Sequence, residues 1–287
     1  MCYKIFVSLP TIYFYLISLP KIEENAMNEI IGYFFALIIG LVLGLIGGGG
    51  SILTVPVLVY LLGVNPVAAT AYSLFIVGTT SVFGTFLNLK KKLVDIKIGL
   101  LFAVPSLFAI YLTRKFLVPA LPEIFFEIGH FTVTKSFFLM TLFAIVMLLA
   151  SFSMISDRKV KSPKKAPNGI FLFLQIFLVG IIIGLVGAGG GFLFIPVLVL
   201  IAKLPIKKAV GTSIFIISIN SLIGFLGDVG NFSPDWSFLL RFTFISILGI
   251  FVGTYTNKYI NEKNLKKGFG WFVLSISVLI LAKEFFF

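Results

Sequence analysis

The sequence predicts an all-α polytopic membrane protein. It is built from two inverted-topology repeats, each a glycine-broken helical hairpin plus three transmembrane helices. Three observations carry this. The 287 residues are 59% hydrophobic and 12% charged, with a mean hydropathy of +1.12, and apolar runs long enough to span a bilayer recur along the chain. Two of these runs are broken by glycines, Gly47-Gly48-Gly49-Gly50 and Gly187-Ala188-Gly189-Gly190-Gly191. The two breaks lie in a common register, as copies of one element do.

The elements follow in order. Residues 1–26 stand apart from the rest, because Ile5–Leu19 is apolar but short and is cut by Pro10 and Pro20. They read as a signal peptide without a small-x-small cleavage site, as an interfacial helix, or as an over-long start with the functional chain beginning at Met27. Ile30–Ile46 leads into the first glycine run and Ile52–Leu62 leaves it. Next come Ala68–Leu87, Ile98–Leu117 and Ser136–Ile155. The second half has the broken segment Gly169–Ala202, then Ala209–Leu226, Phe238–Asn257 and Phe269–Phe286. The longest polar linker, Asp157–Lys165, divides the chain into repeat 1 (27–160) and repeat 2 (161–287).

The repeat rests on identities that shared apolar composition does not produce. Each residue is paired with the one 140 positions further on (184 − 44). Gly40, Gly44, Gly47, Gly49, Gly50, Pro56, Ser73, Ser81 and Gly84 then all meet identical partners, with no gap from Gly40 to Asn88. Scattered Leu, Ile and Val matches are expected by chance; Gly, Pro and Ser held in one register are not.

Lysines orient the helices. Clusters at Lys90–Lys97, Arg158–Lys165, Lys203–Lys208 and Lys258–Lys267 hold 16 of the 23 Lys and Arg residues and mark cytoplasmic loops. The loop Gly227–Trp236 has Asp228 and Asp235 and no cation, as an outside loop should. The broken segment Gly169–Ala202 joins two inside clusters, so it must enter and leave on one side. Its arm Phe192–Ala202 has 11 residues. At about 1.5 Å per residue that arm reaches half of the roughly 30 Å hydrocarbon core. A hairpin and three crossings per half leave the two copies upside down relative to each other. Many secondary transporters are built this way, with the site at the repeat interface.

The net charge of +12 does not point to nucleic acid, because the cations sit in short loops and no basic stripe interleaves with aromatics. Cys2 stands alone and His130 is the only histidine, so neither an internal disulfide nor a protein-only zinc site is expected. The nucleophile-elbow, zinc-protease and P-loop patterns are missing, and no strand precedes the glycines as a dinucleotide fingerprint requires. The chain is expected to be no enzyme and to need no cofactor. Its partners are the lipid bilayer and a small-molecule anion.

The glycine runs carry the candidate chemistry. Glycine costs a helix about 1 kcal/mol relative to alanine, and broken helix is tolerated in a bilayer only where it is buried or lines a cavity. An arm starting at Ser51 or Phe192 points its first amides and its dipole at the break, which favours an anion. The candidate substrate-binding residues are Gly47, Gly48, Gly49, Gly50 and Ser51 at the first break and Gly187, Gly189, Gly190 and Gly191 at the second. Ser73 and Thr80, with their repeat partners Ser213 and Asn220, add a polar stripe on the following helices. Thr79, Ser81, Thr212 and Ser221 are neighbouring hydroxyls. The competing reading of glycines and hydroxyls alike is helix packing and helix-to-helix hydrogen bonding, above all for Gly40-x-x-x-Gly44 and Gly180-x-x-x-Gly184. Arg241, three residues into its helix, either faces an anion pathway or snorkels to the interface.

The phrases Gly-Leu-Ile-Gly-Gly-Gly-Gly-Ser-Ile-Leu-Thr-Val-Pro (44–56) and Gly-Leu-Val-Gly-Ala-Gly-Gly-Gly-Phe-Leu-Phe-Ile-Pro (184–196) resemble the paired signature of the TauE/SafE sulfite exporter family. Ala69-x-x-x-Ser73 and Gly211-Thr212-Ser213 after them resemble it too. The resemblance covers Met27 to the C-terminus. It implies a cell (inner) membrane permease for small anions such as sulfite, sulfonates or other sulfur-containing or organic acids, usually exported. Alternating access is the first expectation, and a passive anion channel or facilitator of the same architecture is the alternative.

Overall fold

The structure is a computed structural model that describes residues 29–128, 131–155, 169–230, 233–259 and 262–286. Residues 1–26 and the linker Asp157–Lys165 lie outside the described residues. The first half contains α1 (Glu29–Ile46), α2 (Gly48–Leu61), α3 (Pro66–Lys90), α4 (Ile96–Ala120) and α5 (Lys135–Ile155). The second contains α6 (Gly169–Val186), α7 (Gly191–Leu200), α8 (Ile206–Asp228), α9 (Trp236–Thr256) and α10 (Glu262–Phe286). Eight of these helices, all but α2 and α7, are long and apolar enough to cross a membrane.

Local chemistry sets the helix starts. Asn65 Oδ1 accepts from Val67 N at 2.9 Å ahead of Pro66, so α3 opens with a side-chain cap and a proline in its first turn. Asp95 and Asp235 cap α4 and α9 in the same way, accepting from Ile98 N and Phe238 N.

The first broken segment is a folded-back hairpin. A Cβ on Gly32, near the start of α1, would lie 2.7 Å from the side chain of Leu62, just past the end of α2. The long arms α1 and α6 each have 18 residues, about 27 Å of helix, so each is long enough to cross the hydrocarbon core. The half-span estimate holds for the short return arm α7, at 10 residues.

α3 and α8 form the centre. Within the apolar window of each, 67% is buried in the protein, against 28% for α6 and α10. They run antiparallel: Gly78 meets Leu222, Gly84 meets Ile214, Gly224 meets Leu74, and the rings of Phe75 and Phe225 lie 5.0 Å apart. α5 and α10 also pack antiparallel, joining Phe137 to Phe285 at one end and Ile155 to Gly270 at the other. α9 packs on α3 as α4 packs on α8. The correspondence reaches single residues. Gly40 of α1 abuts the Ser246 carbonyl and Gly180 of α6 the Ser106 carbonyl, while Gly84 meets Ile250 and Gly224 meets Ile110. The 140-residue register therefore continues past Asn88 into α4 and α9. These contacts place Gly40, Gly44, Gly180 and Gly184 at close helix crossings, as the packing reading expects.

Three sequence expectations are corrected. The chain is not purely helical: Ile124–Ile128 and Phe131–Thr134 form a two-stranded antiparallel ribbon, β1 and β2, between α4 and α5. Its β-branched and aromatic residues fit a pleated ladder. Asp228 is not in a loop but ends α8, 5% exposed. α4 runs past the expected Leu117 to Ala120, and Arg114 within it has no exposed surface at all.

Candidate functional site

The two glycine turns fold differently. Gly47 has φ +84° and leads into a single 3₁₀ turn, Gly48–Gly50. Ser51 Oγ donates to Gly48 O at 2.7 Å and closes that turn. The second turn has three left-handed residues, Gly187, Gly189 and Gly190, at φ +71°, +63° and +71°. Only glycine takes such angles without strain, so here the run is required by the backbone itself. Gly191, in the position of Ser51, brings no hydroxyl.

The turns touch each other. A Cβ on Gly191 would run into Gly48 Cα and into the side chain of Ile217. Gly47 faces α8, where a Cβ would stand 3.1 Å from Ser213 Oγ and 3.0 Å from Val210. Gly189 lies between the central helices, 2.9 Å from Ser221 Oγ and 3.0 Å from Val77 by the same construction. The structure thus brings together Gly47 with Ser213, Gly48 with Gly191, and Gly189 with Ser221. Gly50 and Gly190 instead pack on their own long arms, against Leu43 and Ile183, and Gly49 faces Phe269 of α10. Those three are accounted for by packing.

The polar stripes are completely buried. Ser51, Ser73, Thr80, Ser213, Asn220 and Ser221 have no exposed surface. Ser213 Oγ donates to Val210 O at 2.8 Å, within its own helix. Asn220 Nδ2 donates to Ser106 Oγ of α4 at 2.7 Å, so half of its amide ties α8 to α4. Ser73 Oγ, Thr80 Oγ1, Ser81 Oγ, Ser221 Oγ and Asn220 Oδ1 have no hydrogen-bond partner. Leaving a buried polar atom unpaired costs about 1–3 kcal/mol, which a bound ligand or water would relieve.

The charged element of the site is the one that sequence reasoning missed. Arg114 lies in a π-helical turn of α4, Thr113–Leu117, just before Pro119, whose missing N–H disturbs the regular ladder. Its Nη1 donates to Thr70 Oγ1 at 3.0 Å and lies 3.3 Å from Asp228 Oδ2. Nε and Nη2 have no partner, and Nη2 would lie 2.5 Å from a Cβ on Gly187. Gly227 lets α8 approach closely enough, 2.9 Å from Arg114 Cβ by the same construction. A signal was present in the repeat register. Thr254 stands at the position of Arg114 and Asn88 at that of Asp228, so the two departures from symmetry fall on partners. Arg241 takes the interfacial alternative: it is exposed, donates to Ser237 Oγ at 2.8 Å and lies 3.9 Å from Glu29.

The chain is similar to known membrane transporter proteins. A family model described as sulfite exporter TauE/SafE matches residues 33–280. The probable membrane transporter protein YunE of Bacillus subtilis is 29% identical over 265 residues, covering 83% of this chain and 92% of that relative. A probable membrane transporter protein of Xylella fastidiosa strain 9a5c is 25% identical over 252 residues, covering 85% and 91%. The probable membrane transporter protein MJ0441 of Methanocaldococcus jannaschii is 28% identical over 203 residues, covering 66% and 70%. No solved structure shows a significant match.

Proposed function

The chain belongs to the sulfite exporter TauE/SafE family and is a multi-pass membrane transporter, and from that premise we propose that it is a secondary transporter of small anions. Its substrates are sulfite, sulfonates or other sulfur-containing or organic acids, moved by alternating access. In this reading repeat 1 (27–160) and repeat 2 (161–287) are inverted copies, and the two hairpins enter from opposite membrane faces. The antiparallel packing of α3 on α8 and of α5 on α10 supports the inversion, since equivalent helices of inverted copies must run in opposite directions.

The single observation that carries the proposal is the meeting of the two glycine turns, Gly48 on Gly191, with the buried and unpartnered Ser221 Oγ beside Gly189. Hydroxyl and amide groups there bind an anion without holding it too firmly to be released. The contact of Gly48 with Gly191 closes the path between the turns, so passage requires them to separate. Rocking of one repeat against the other does that.

The test is flux of radiolabelled sulfite in proteoliposomes. The proposal expects saturable transport, with exchange of labelled for unlabelled sulfite faster than net movement. Linear flux without such exchange would instead identify a passive facilitator, and no flux of any anion would end the reading.

A further inference from the structure

We propose that Arg114 supplies the fixed positive charge of an oxyanion subsite at the second glycine turn, with Asp228 as the counter-ion that the anion competes against. The inference deepens the anion-transport reading above and rests on it. An ionisable side chain within a membrane-spanning helix is costly and is kept for a role. A purely structural ion pair would be expected to use the guanidinium's strongest geometry, two parallel N–H bonds to one carboxylate. Arg114 does not. Asp228 and Thr70 both engage Nη1. The edge formed by Nε and Nη2, whose N–H bonds run parallel, is buried and unpaired.

The Nη2 end of that edge lies against Gly187, where even a Cβ would come within 2.5 Å of Nη2, so only a residue without a side chain leaves it unblocked. The left-handed backbone of Gly187, Gly189 and Gly190 brings the start of α7 to the same place, adding its positive dipole end. Two parallel donors select an anion with two oxygens on one centre, such as sulfite, a sulfonate or a carboxylate. A halide uses only one of them well. The repeat partners Thr254 and Asn88 carry no charge, so this edge has no counterpart at the matching position of the other repeat.

The experiment measures the unfolding midpoint of the purified full-length protein against increasing sulfite and methanesulfonate, with chloride at matched ionic strength. Wild type is expected to be stabilised saturably by the oxyanions and not by chloride. Asp228→Asn removes the competitor and should lower the apparent Kd for sulfite roughly tenfold. This is opposite in sign to any folding defect. Arg114→Gln/Asp228→Asn removes both charges, so no lone charge is left buried, and should abolish the response. Arg114→Lys/Asp228→Asn keeps the charge without the fork and should bind roughly tenfold or more weakly than Asp228→Asn. Sulfite binding by the doubly neutral variant as tight as wild type would overturn the subsite while leaving anion transport standing. No response in wild type would overturn both readings. If the doubly neutral variant does not fold, equal affinities for Asp228→Asn and Arg114→Lys/Asp228→Asn would still overturn the subsite.

Discussion

The two glycine turns share one phrase of sequence, yet they fold differently. The first is a compact 3₁₀ turn closed by its own Ser51 and set against the neutral Val210 and Ser213. The second is held in left-handed geometry by three glycines and set against the buried pair Arg114–Asp228. A duplicated scaffold thus supplies two similar tips, and substitution on the helices facing them gives only one a charge. On the proposed reading, the symmetric scaffold builds the anion pocket and departures from symmetry decide what it holds.

Breaking the contact between the tips should have the largest effect. Gly191→Leu would drive a side chain into Gly48 and Ile217. Sulfite flux in proteoliposomes should fall to background, while membrane insertion, read by a fused reporter, remains. Flux near wild type would show that the tips need not meet.

The charged and neutral sides can next be compared directly. Arg114→Gln alone strands Asp228 and should destabilise the protein by about 3–5 kcal/mol, with most of that recovered in Arg114→Gln/Asp228→Asn. On the neutral side, Asn88 donates only to Gly84 O in its own helix, so Asn88→Ala should cost about 1 kcal/mol or less. Denaturant unfolding in detergent measures all three. Equal costs for Arg114→Gln and Asn88→Ala would remove the asymmetry.

The smallest effect concerns closure of the first turn. Ser51→Ala deletes one bond, to Gly48 O, and should cost about 0.5–1.5 kcal/mol. Gly191→Ser at the equivalent position should gain nothing comparable, because its surroundings are already filled by Ile217 and Gly48. The orientation of the whole comparison is checked separately. A reporter fused after Gly230 should read outside and one after Asn264 inside, and the reverse would refute opposed hairpins.

Much of this was legible in the sequence, for stated reasons. Hydropathy located the spans because lipid demands long apolar helices. Four adjacent glycines marked the breaks because a packed helix has no use for them. The 140-residue register predicted which helices would be equivalent, and Gly84–Ile250 and Gly224–Ile110 show that equivalence residue by residue. Arg114 was missed because Arg114-Lys115 near the end of an apolar run looks like an interfacial anchor. Asp228 was missed because the sequence reading placed it in the polar stretch Gly227–Trp236. Neither residue reveals its burial without the partner that α8 brings to α4. Composition also hid the strands Ile124–Ile128 and Phe131–Thr134, because each is too short to stand out beside the long apolar helices.

The central claim is that both glycine turns build one anion pocket, and the stoichiometry of binding tests it most directly. Titration calorimetry of the purified protein with sulfite should give one site per chain. Binding should be lost when a bulky residue replaces either Gly48 or Gly191 in a variant that still folds. Two independent sites, or one that survives disruption of either turn, would contradict the account.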